Sequence, residues 1–510
     1  MKTSCIRTLL FILLAAVMTS CATKREINRP VSIKNNPKRE FRGAWIQTAF
    51  QSEYSKMSPD AMKKDFIRKL NYLQDCGINA IIFQVRPEAD AFYYSEIEPW
   101  SRFFTGEQGR APEGNFDPMA FLIKECHKRN MEFHAWLNPF RASTSGNTKF
   151  AESHIYNKHP EWFVTYNKQI LFDPGIPDCR AFICRVVRDI VSRYDVDAIH
   201  MDDYFYPYPV AGMPFPDDKS FAEYGIPKGY SQAQRDNWRR NNVNLLISDL
   251  KRTILLAKPW VRFGISPFGI YRNKKSTKDG SGSETNGLQN FDDLYADILY
   301  WVKQGWIDYN MPQIYWEIDH PAADYITLIK WWNKNANGRP LYIGQDVART
   351  MKAKQLTRKM RYERGLSNIQ GNCFWPANEI LWNNGHIADS LKKNYHRYPA
   401  LIPAYTHMHD RTPKEVKKLK AEWAPNGYFL RWKAEQSETD PEKATYFVIY
   451  RFNDGEKVDL SNPSKIVTTT RNLYYKLPYE KGKTKYRYVV TAVDRFHNES
   501  PKGKSKKIKL

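Results

Sequence analysis

The chain has 510 residues, 42% of them hydrophobic and 26% charged. That balance excludes a mainly disordered chain, a collagen and a multi-span membrane protein. A net charge of +23 makes polyanions natural neighbours: nucleic acid, anionic lipid or acidic cell-wall polymer.

The N-terminus narrows that choice. Lys2 and Arg7 accompany an apolar run from Leu9 to Val17 that is too short to span a bilayer, and Thr19 and Ser20 lead into Cys21. This is the shape of a secretory signal over residues 1–21 ending in a lipobox, with Cys21 as the acylated first residue of the mature chain. Residues 22–39 read as a polar spacer. Ala22 to Arg25 carry no acidic sorting tag, so the expected place is the outer membrane, facing the periplasm, with the lipid as the membrane attachment. Export removes nucleic acid as a partner. Beyond Cys5 and Cys21 stand Cys76, Cys126, Cys179, Cys184 and Cys373, with no C-x-x-C pair. Buried free thiols fit better than a zinc or redox site, and no cofactor or metal is expected.

From residue 41 a strand, loop and amphipathic helix recur. Strands are predicted over 41–49, 78–87, 132–140, 196–205, 261–270, 308–316, 340–347 and 371–380. Helices are predicted from Ser58-Pro59-Asp60 to Cys76, from Asp117-Pro118 to about Asn130, and over 178–194, 231–256, 291–304 and 322–333. Eight alternations argue for a parallel (β/α)8 barrel, of TIM type, spanning residues 40–396. Connections into strands are short, whereas those after strands are long (88–116, 141–177, 206–230, 271–290), as on the active face of such a barrel. The 271–290 segment reads as a mobile lid or a solvated excursion. Residues 397–414 form a Pro-punctuated linker. Residues 415–510 hold short alternating strands around Trp432 and a Tyr486, Tyr488 pair, resembling a fibronectin type III domain. It is expected to be a spacer or a docking site for a protein partner.

Chemistry is expected at the strand ends. These supply Arg86, Glu88 and Asp90; Trp136, Asn138 and Arg141; His200, Asp202, Asp203, Tyr204, Tyr206 and Tyr208; Tyr271; Tyr315, Trp316, Glu317 and Asp319; Asp346; and Trp375. Neither a nucleophile elbow nor a phosphate-binding loop is present. Paired carboxylates among aromatics suit glycoside hydrolysis, in which one acid protonates the leaving oxygen and the other stabilises or attacks the oxocarbenium-like centre. Alternation along strand four puts Ala198, His200 and Asp202 on one face and Ile199, Met201 and Asp203 on the other. Asp202 then points into the barrel mouth, with Asp203 capping a loop or taking its place. Glu317, beside Tyr315 and Trp316, is the expected proton donor, because an apolar wall raises a carboxyl pKa. Glu88 and Asp346 are the reserves. Arg86 is read as holding a carboxylate or touching substrate, and His200 as a supporting hydrogen-bond partner.

FRGAWIQT, FQVRPEADAFY, WLNPFR, IHMDDYFYPY, GISPFGIYRN and PQIYW together resemble the glycosyl hydrolase-like family 10 over roughly residues 39–395. The resemblance implies a (β/α)8 barrel whose catalytic Asp ends strand four, matching Asp202. It also implies, from lipoprotein relatives at the division site, cleavage of peptidoglycan strands already stripped of their peptides. The charge of +23 suits so anionic a glycan. A glycosidase acting on another polysaccharide and a non-catalytic glycan-binding lipoprotein remain the alternatives. A metal-dependent deacetylase is disfavoured, because His154 and His159 lie five apart rather than in an H-x-x-x-H pair.

Overall fold

The computed structural model describes residues 36–146, 148–437 and 439–510. The expected signal, the lipobox Cys21 and nearly all of the spacer lie outside the described residues. No helix among those described is long and apolar enough to cross a membrane.

Eight parallel strands close into a barrel: β1 (Phe41–Ile46), β2 (Ala80–Arg86), β3 (Glu132–Leu137) and, after a small separate sheet of β4 (Arg141–Ser143), β5 (Phe163–Tyr166) and β6 (Gln169–Phe172), β7 (Ala198–Met201), β8 (Arg262–Ile265), β9 (Tyr309–Asn310), β10 (Leu341–Asp346) and β11 (Ile369–Trp375). Six of them are buried at every residue. Such strands are covered on both faces, by helices outside and packed side chains inside. The predicted helix signals act as read. Ser58 accepts a hydrogen bond from the Ala61 amide ahead of Pro59–Asp75, and Asp117 accepts one from Ala120 ahead of Pro118–Lys128.

Two expectations change. The helix predicted over 291–304 is broken into Asn290–Asp293 and Ile298–Gln304. Asp297 restarts it by accepting from the Tyr300 amide, and Tyr295 takes a positive φ of 54° at the break. A helix that was not predicted, Leu356–Arg364, precedes β11; its inner face carries Lys359 and Glu363 beside Leu356 and Met360, so its period is hidden by buried charge.

Large rings fill the barrel interior, among them Phe41, Trp45, Trp136, Tyr309 and Tyr342. Small residues opposite make the room. A Cβ on Gly264 would lie 1.8 Å from the Tyr309 ring, and one on Gly371, at the β1–β11 seam with φ 146°, would lie 2.1 Å from the Phe41 carbonyl oxygen. The 397–414 segment is packed rather than free. Ile402 and Tyr405 join the interior cluster at the N-terminal pole, where the Tyr405 hydroxyl lies 2.7 Å from that of Tyr342.

An all-β region follows. A three-stranded sheet has the order β12-β13-β16 (Lys417–Ala424, Gly427–Lys433, Tyr474–Lys476). A four-stranded sheet has the order β15-β14-β17-β18 (Ile466–Thr470, Tyr446–Asn453, Lys485–Val493, Lys506–Lys509). The two share a core containing Leu430, Trp432, Phe447, Tyr488 and Val490. This region docks on the barrel's N-terminal pole: Arg495 pairs with Asp195 at 2.9 Å and His497 Nε2 lies 2.6 Å from Glu132 Oε1.

Gly264→Ala is expected to destabilise the barrel by about 1–3 kcal/mol through overpacking against Tyr309. Thermal melting checks this: a melting temperature equal to that of the parent would contradict the packing described.

Candidate active site

A cavity of about 390 Å³ opens at the C-terminal ends of the strands. Trp45, Gln47, Ala49 and Phe50 come from the end of β1, Gln84 from β2, Trp136 from β3 and Arg141 from just beyond it. Asp202, Asp203, Tyr204 and Tyr208 follow β7; Ser266 and Phe268 follow β8; Gln313, Tyr315 and Trp316 follow β9; Arg349 and Trp375 complete the wall.

Among the described residues, the carboxyl groups of this wall are those of Asp202 and Asp203. Both are buried. β7 stops at Met201, so alternation ends before the pair. That corrects the expectation that Asp203 turns away to cap a loop, since it too faces the cavity. Asp202 Oδ2 accepts from the Trp136 indole at 3.1 Å. Asp203 is held by two side-chain donors: the Tyr208 hydroxyl on Oδ2, and Gln313 Nε2 at 3.1 Å on Oδ1. Gln313 Nε2 also donates to the Ser266 carbonyl at 2.8 Å, which fixes the amide.

Burial, reinforced by the Asp203 charge, pushes the Asp202 carboxyl up to about 7, against the opposing pull of Arg141. Burial raises Asp203 as well, and its bond from Tyr208 counteracts that. A neighbouring negative charge makes ionisation harder, so Asp202 keeps its proton into the range near neutrality. The two strong donors favour the charge on Asp203, leaving the proton on Asp202. An acid and a carboxylate thus stand side by side.

The surrounding rings form two groups. Trp375 meets Trp45 and Trp136 edge-on, at centroid distances of 6.5 and 6.0 Å, making an indole box beside Asp202. Tyr204 stacks on Tyr208, and Phe268 sits edge-on to Trp316. Aromatic faces with nearby polar groups bind amphipathic rings.

Below the floor runs a buried polar column. His200 Nε2 lies 2.9 Å from Ser266 Oγ and 3.3 Å from the Trp45 indole nitrogen. His200 Nδ1 lies 2.9 Å from the Tyr309 hydroxyl, which lies 2.9 Å from His134 Nδ1; His134 Nε2 lies 2.9 Å from Glu132 Oε2. The Trp45 indole only donates and an ionised Glu132 only accepts. With neutral imidazoles, donation therefore runs one way: Trp45 and Ser266 to His200, His200 to Tyr309, Tyr309 to His134 and His134 to Glu132. Burial holds the His200 pKa well below its ordinary value, consistent with a neutral ring.

Of the rim residues singled out from sequence, Trp136, Arg141, Asp202, Asp203, Tyr204, Tyr208, Tyr315, Trp316 and Trp375 line the cavity. Ten others do not: His200 lies in the column below the floor, Asp319 is exposed 3.7 Å from Arg358, and each of the remaining eight has a visible reason. Arg86 is buried in a pair with Glu98 at 2.6 Å and donates to the Asn138 and Pro139 carbonyls. Glu88 accepts from Arg102 at 2.7 Å and from Thr144, tying two loops together. Asp90 lies beneath Glu88, accepting from its amide and from Gln108. Asn138 Oδ1 accepts from the Arg141 amide at 2.8 Å and shapes the turn. Tyr206 is buried against Phe215 and Tyr295, and the Tyr271 hydroxyl donates to Asp297. Asp346 caps the helix Val347–Lys352. Glu317 is half-buried off the cavity, and its charge acts on Lys359. The proton-donor expectation for Glu317 is thereby corrected: the cavity's raised carboxyl is Asp202.

Trp45, Gln84, Phe50, Ser266, Phe268, Gln313 and Arg349 were missed as site residues. Gln313 carried a usable signal, as the polar residue just past β9. The 271–290 segment does not line the cavity. It is pinned on itself through Asn273, whose Oδ1 accepts from Thr285 Oγ1 and the Gly287 amide. It is also tied to the helix Tyr325–Lys334 by the Trp331 indole, which donates to the Ser281 carbonyl at 2.8 Å.

Residues 40–360 match the family model described as Glycosyl hydrolase-like 10. The chain is 38% identical over 493 residues to glycosyl hydrolase YngK of Bacillus subtilis (strain 168), covering 94% of this chain and 95% of the relative. It is 35% identical over 354 residues to glycosyl hydrolase DigH of Escherichia coli (strain K12), covering 64% and 79% respectively. Among solved structures, the PgaB (BpsB) glycoside hydrolase domain from Bordetella bronchiseptica aligns over 70% of this chain and 99% of that chain, with 10% identity and a TM-score of 0.47.

The raised Asp202 carboxyl carries a stability signature. Unfolded, it titrates near its ordinary 3.8; folded, at about 7. The folded state keeps the proton longer, so stability falls as pH rises from about 4 to about 7 and the deficit stays constant above. Asp202→Asn removes this penalty. The variant's gain in melting temperature over the parent should be larger at pH 8 than at pH 4, which differential scanning at the two pH values reads directly.

Proposed function

Since the chain belongs to the glycosyl hydrolase-like 10 family, we propose that it is a glycoside hydrolase acting on cell-wall glycan, with peptide-free peptidoglycan strands as its substrate. The observation that carries the reading is the adjacent Asp202 and Asp203 pair, buried in an aromatic cavity at the barrel's C-terminal pole. An acid of raised pKa beside a carboxylate meets the need of glycosidic cleavage, in which the leaving oxygen gains a proton while positive charge develops at the anomeric carbon. The rings supply faces for sugars. Arg141 and Arg349 put two guanidinium groups on the wall, which suits a glycan bearing carboxylates such as the lactyl groups of muramic acid.

The location proposed is the cell envelope, with the chain lipid-anchored through Cys21 to the outer membrane and facing the periplasm. Lys2, Arg7, the Leu9 to Val17 run and the small residues before Cys21 support it. The all-β region, with its sheets of three and four strands, is proposed as a fibronectin type III-like domain over residues 415–510. Its four-stranded sheet is engaged with the barrel, so a protein partner would meet the other faces.

The test is digestion of intact and amidase-stripped peptidoglycan, with mass spectrometry of the released glycans. Short glycans are expected from the stripped strands. Asp202→Asn and Asp203→Asn should each lower the release by at least about 100-fold, as loss of an acid–base group does. Release that survives in both variants, or no release from either preparation, would overturn the proposal. A second outcome reads the basic wall: Arg349→Gln should raise KM for lactyl-bearing strands and leave KM for neutral chitin oligosaccharides unchanged.

A further inference from the structure

Ordinary two-carboxylate glycosidases place their acid and their nucleophile or base on opposite sides of the scissile bond, about 5 Å or more apart. Here, among the described residues, the cavity wall holds two carboxyl groups, and both come from consecutive positions at the end of one strand. The facing walls carry Gln47, Gln84, Arg141 and Arg349, none of which attacks an anomeric carbon. Of the other strand-end carboxylates, none lines the cavity: Glu88 pairs with Arg102, Asp346 caps a helix N-terminus, Asp90 accepts from the Glu88 amide and Gln108, Asp319 lies 3.7 Å from Arg358, and Glu317 acts by its charge on Lys359. Among the described residues, the cavity thus offers an acid and an adjacent, firmly anchored carboxylate, but no carboxylate on the facing walls.

Resting on the glycosidase reading, we infer that the missing nucleophile is the substrate's own 2-acetamido group, so that the enzyme is restricted to glycosides of 2-acetamido sugars. The chemistry then balances with the groups present. The acetamido carbonyl oxygen bonds to the anomeric carbon as the bond to the leaving sugar breaks. The Asp202 proton passes to the leaving oxygen. The cyclic oxazolinium ion so formed has an N–H whose positive charge faces the Asp203 carboxylate. Water then adds to the anomeric carbon, the ring opens to restore the acetamide, and the proton of the water returns to Asp202. Two inversions give net retention of configuration.

Two features fit this division of labour. Asp203 is clamped by the Tyr208 hydroxyl and by Gln313 Nε2, so it is orientated rather than free to swing to the anomeric carbon. The box of Trp45, Trp136 and Trp375 beside Asp202 is an apolar recess of the kind an acetamido methyl needs.

The probe is the thiazoline derived from N-acetylglucosamine, a stable mimic of the oxazoline. It should bind the purified protein in calorimetry and compete with stripped peptidoglycan strands. Asp203→Asn should weaken its binding by at least 10-fold, whereas Asp202→Asn should retain binding and lose turnover. De-N-acetylated strands should resist cleavage by at least 100-fold relative to acetylated ones, and NMR should find the first-formed product with retained configuration. Inverted product, or a covalent sugar adduct on Asp202 or Asp203 trapped by a 2-fluoro sugar, would overturn the inference while leaving the glycosidase reading intact. Thiazoline binding without cleavage of peptidoglycan would support the inference and send the search to another 2-acetamido glycan. Absence of thiazoline binding from a protein that cleaves the strands would overturn it.

Discussion

Glu132 is a carboxylate buried at the barrel pole remote from the cavity, and three elements converge on it. Arg262 donates from the start of β8, His497 from the all-β region and His134 from within β3. Burial raises its pKa, but Arg262 and His497 outweigh that and hold it well below the usual carboxylate range. A buried charge with all its partners in place is costly to disturb, because removing one partner leaves the rest uncompensated. The placement of the sandwich, the closure of the barrel's lower pole and the direction of the interior hydrogen bonds all depend on it.

From that carboxylate the column of His134, Tyr309 and His200 climbs the barrel axis to Ser266 and Trp45 on the cavity floor. It explains why a barrel interior otherwise filled with rings tolerates two histidines. Each imidazole has a donor on one side and an acceptor on the other, so no buried polar atom of the column is left unpaired. It also relates two features that look independent along the chain. Gly264 is small because Tyr309 is large, and Tyr309 is where it is because its hydroxyl bridges the histidines. The cavity floor is therefore held from below, with the Trp45 and Ser266 hydrogens committed to His200. Preorganisation of this kind lets polar groups act without reorganising during reaction.

At the other pole the chemistry rests on crowding two carboxyls into one strand end. The cost is a destabilised pair that cannot both ionise easily. The gain is a group protonated near neutrality in direct contact with an indole and next to an anchored anion. The other strand-end acids stand off the cavity wall, with Glu88 paired to Arg102, Asp346 capping a helix and Asp90 accepting from the Glu88 amide and Gln108. That leaves Asp202 and Asp203 as the carboxyl groups of the cavity among the described residues.

Much of this was legible in the chain. All eight strands, most of the barrel helices, the long loops on one face and the aspartates after the fourth barrel strand follow from local rules: apolar runs of strand length, caps, and turn residues between them. Those rules act over a few residues, so one sequence suffices. The helix Leu356–Arg364 escaped because its buried face is partly charged, and charge reads as surface until its partners are seen. The choice among strand-end residues also escaped. Arg86, Asp90, Tyr206 and Glu317 have the same composition and spacing as true cavity residues. Only the packing of distant loops decides that Arg86 meets Glu98, that Tyr206 is sealed under Phe215, and that Gln313 reaches Asp203 across 110 residues of chain. The sequence by itself determined the barrel and the pair of acids, because both are written in neighbouring residues. The tertiary structure alone decided which side chains share the cavity and which acid keeps its proton, because burial and long-range contacts set those and neither has a local signature.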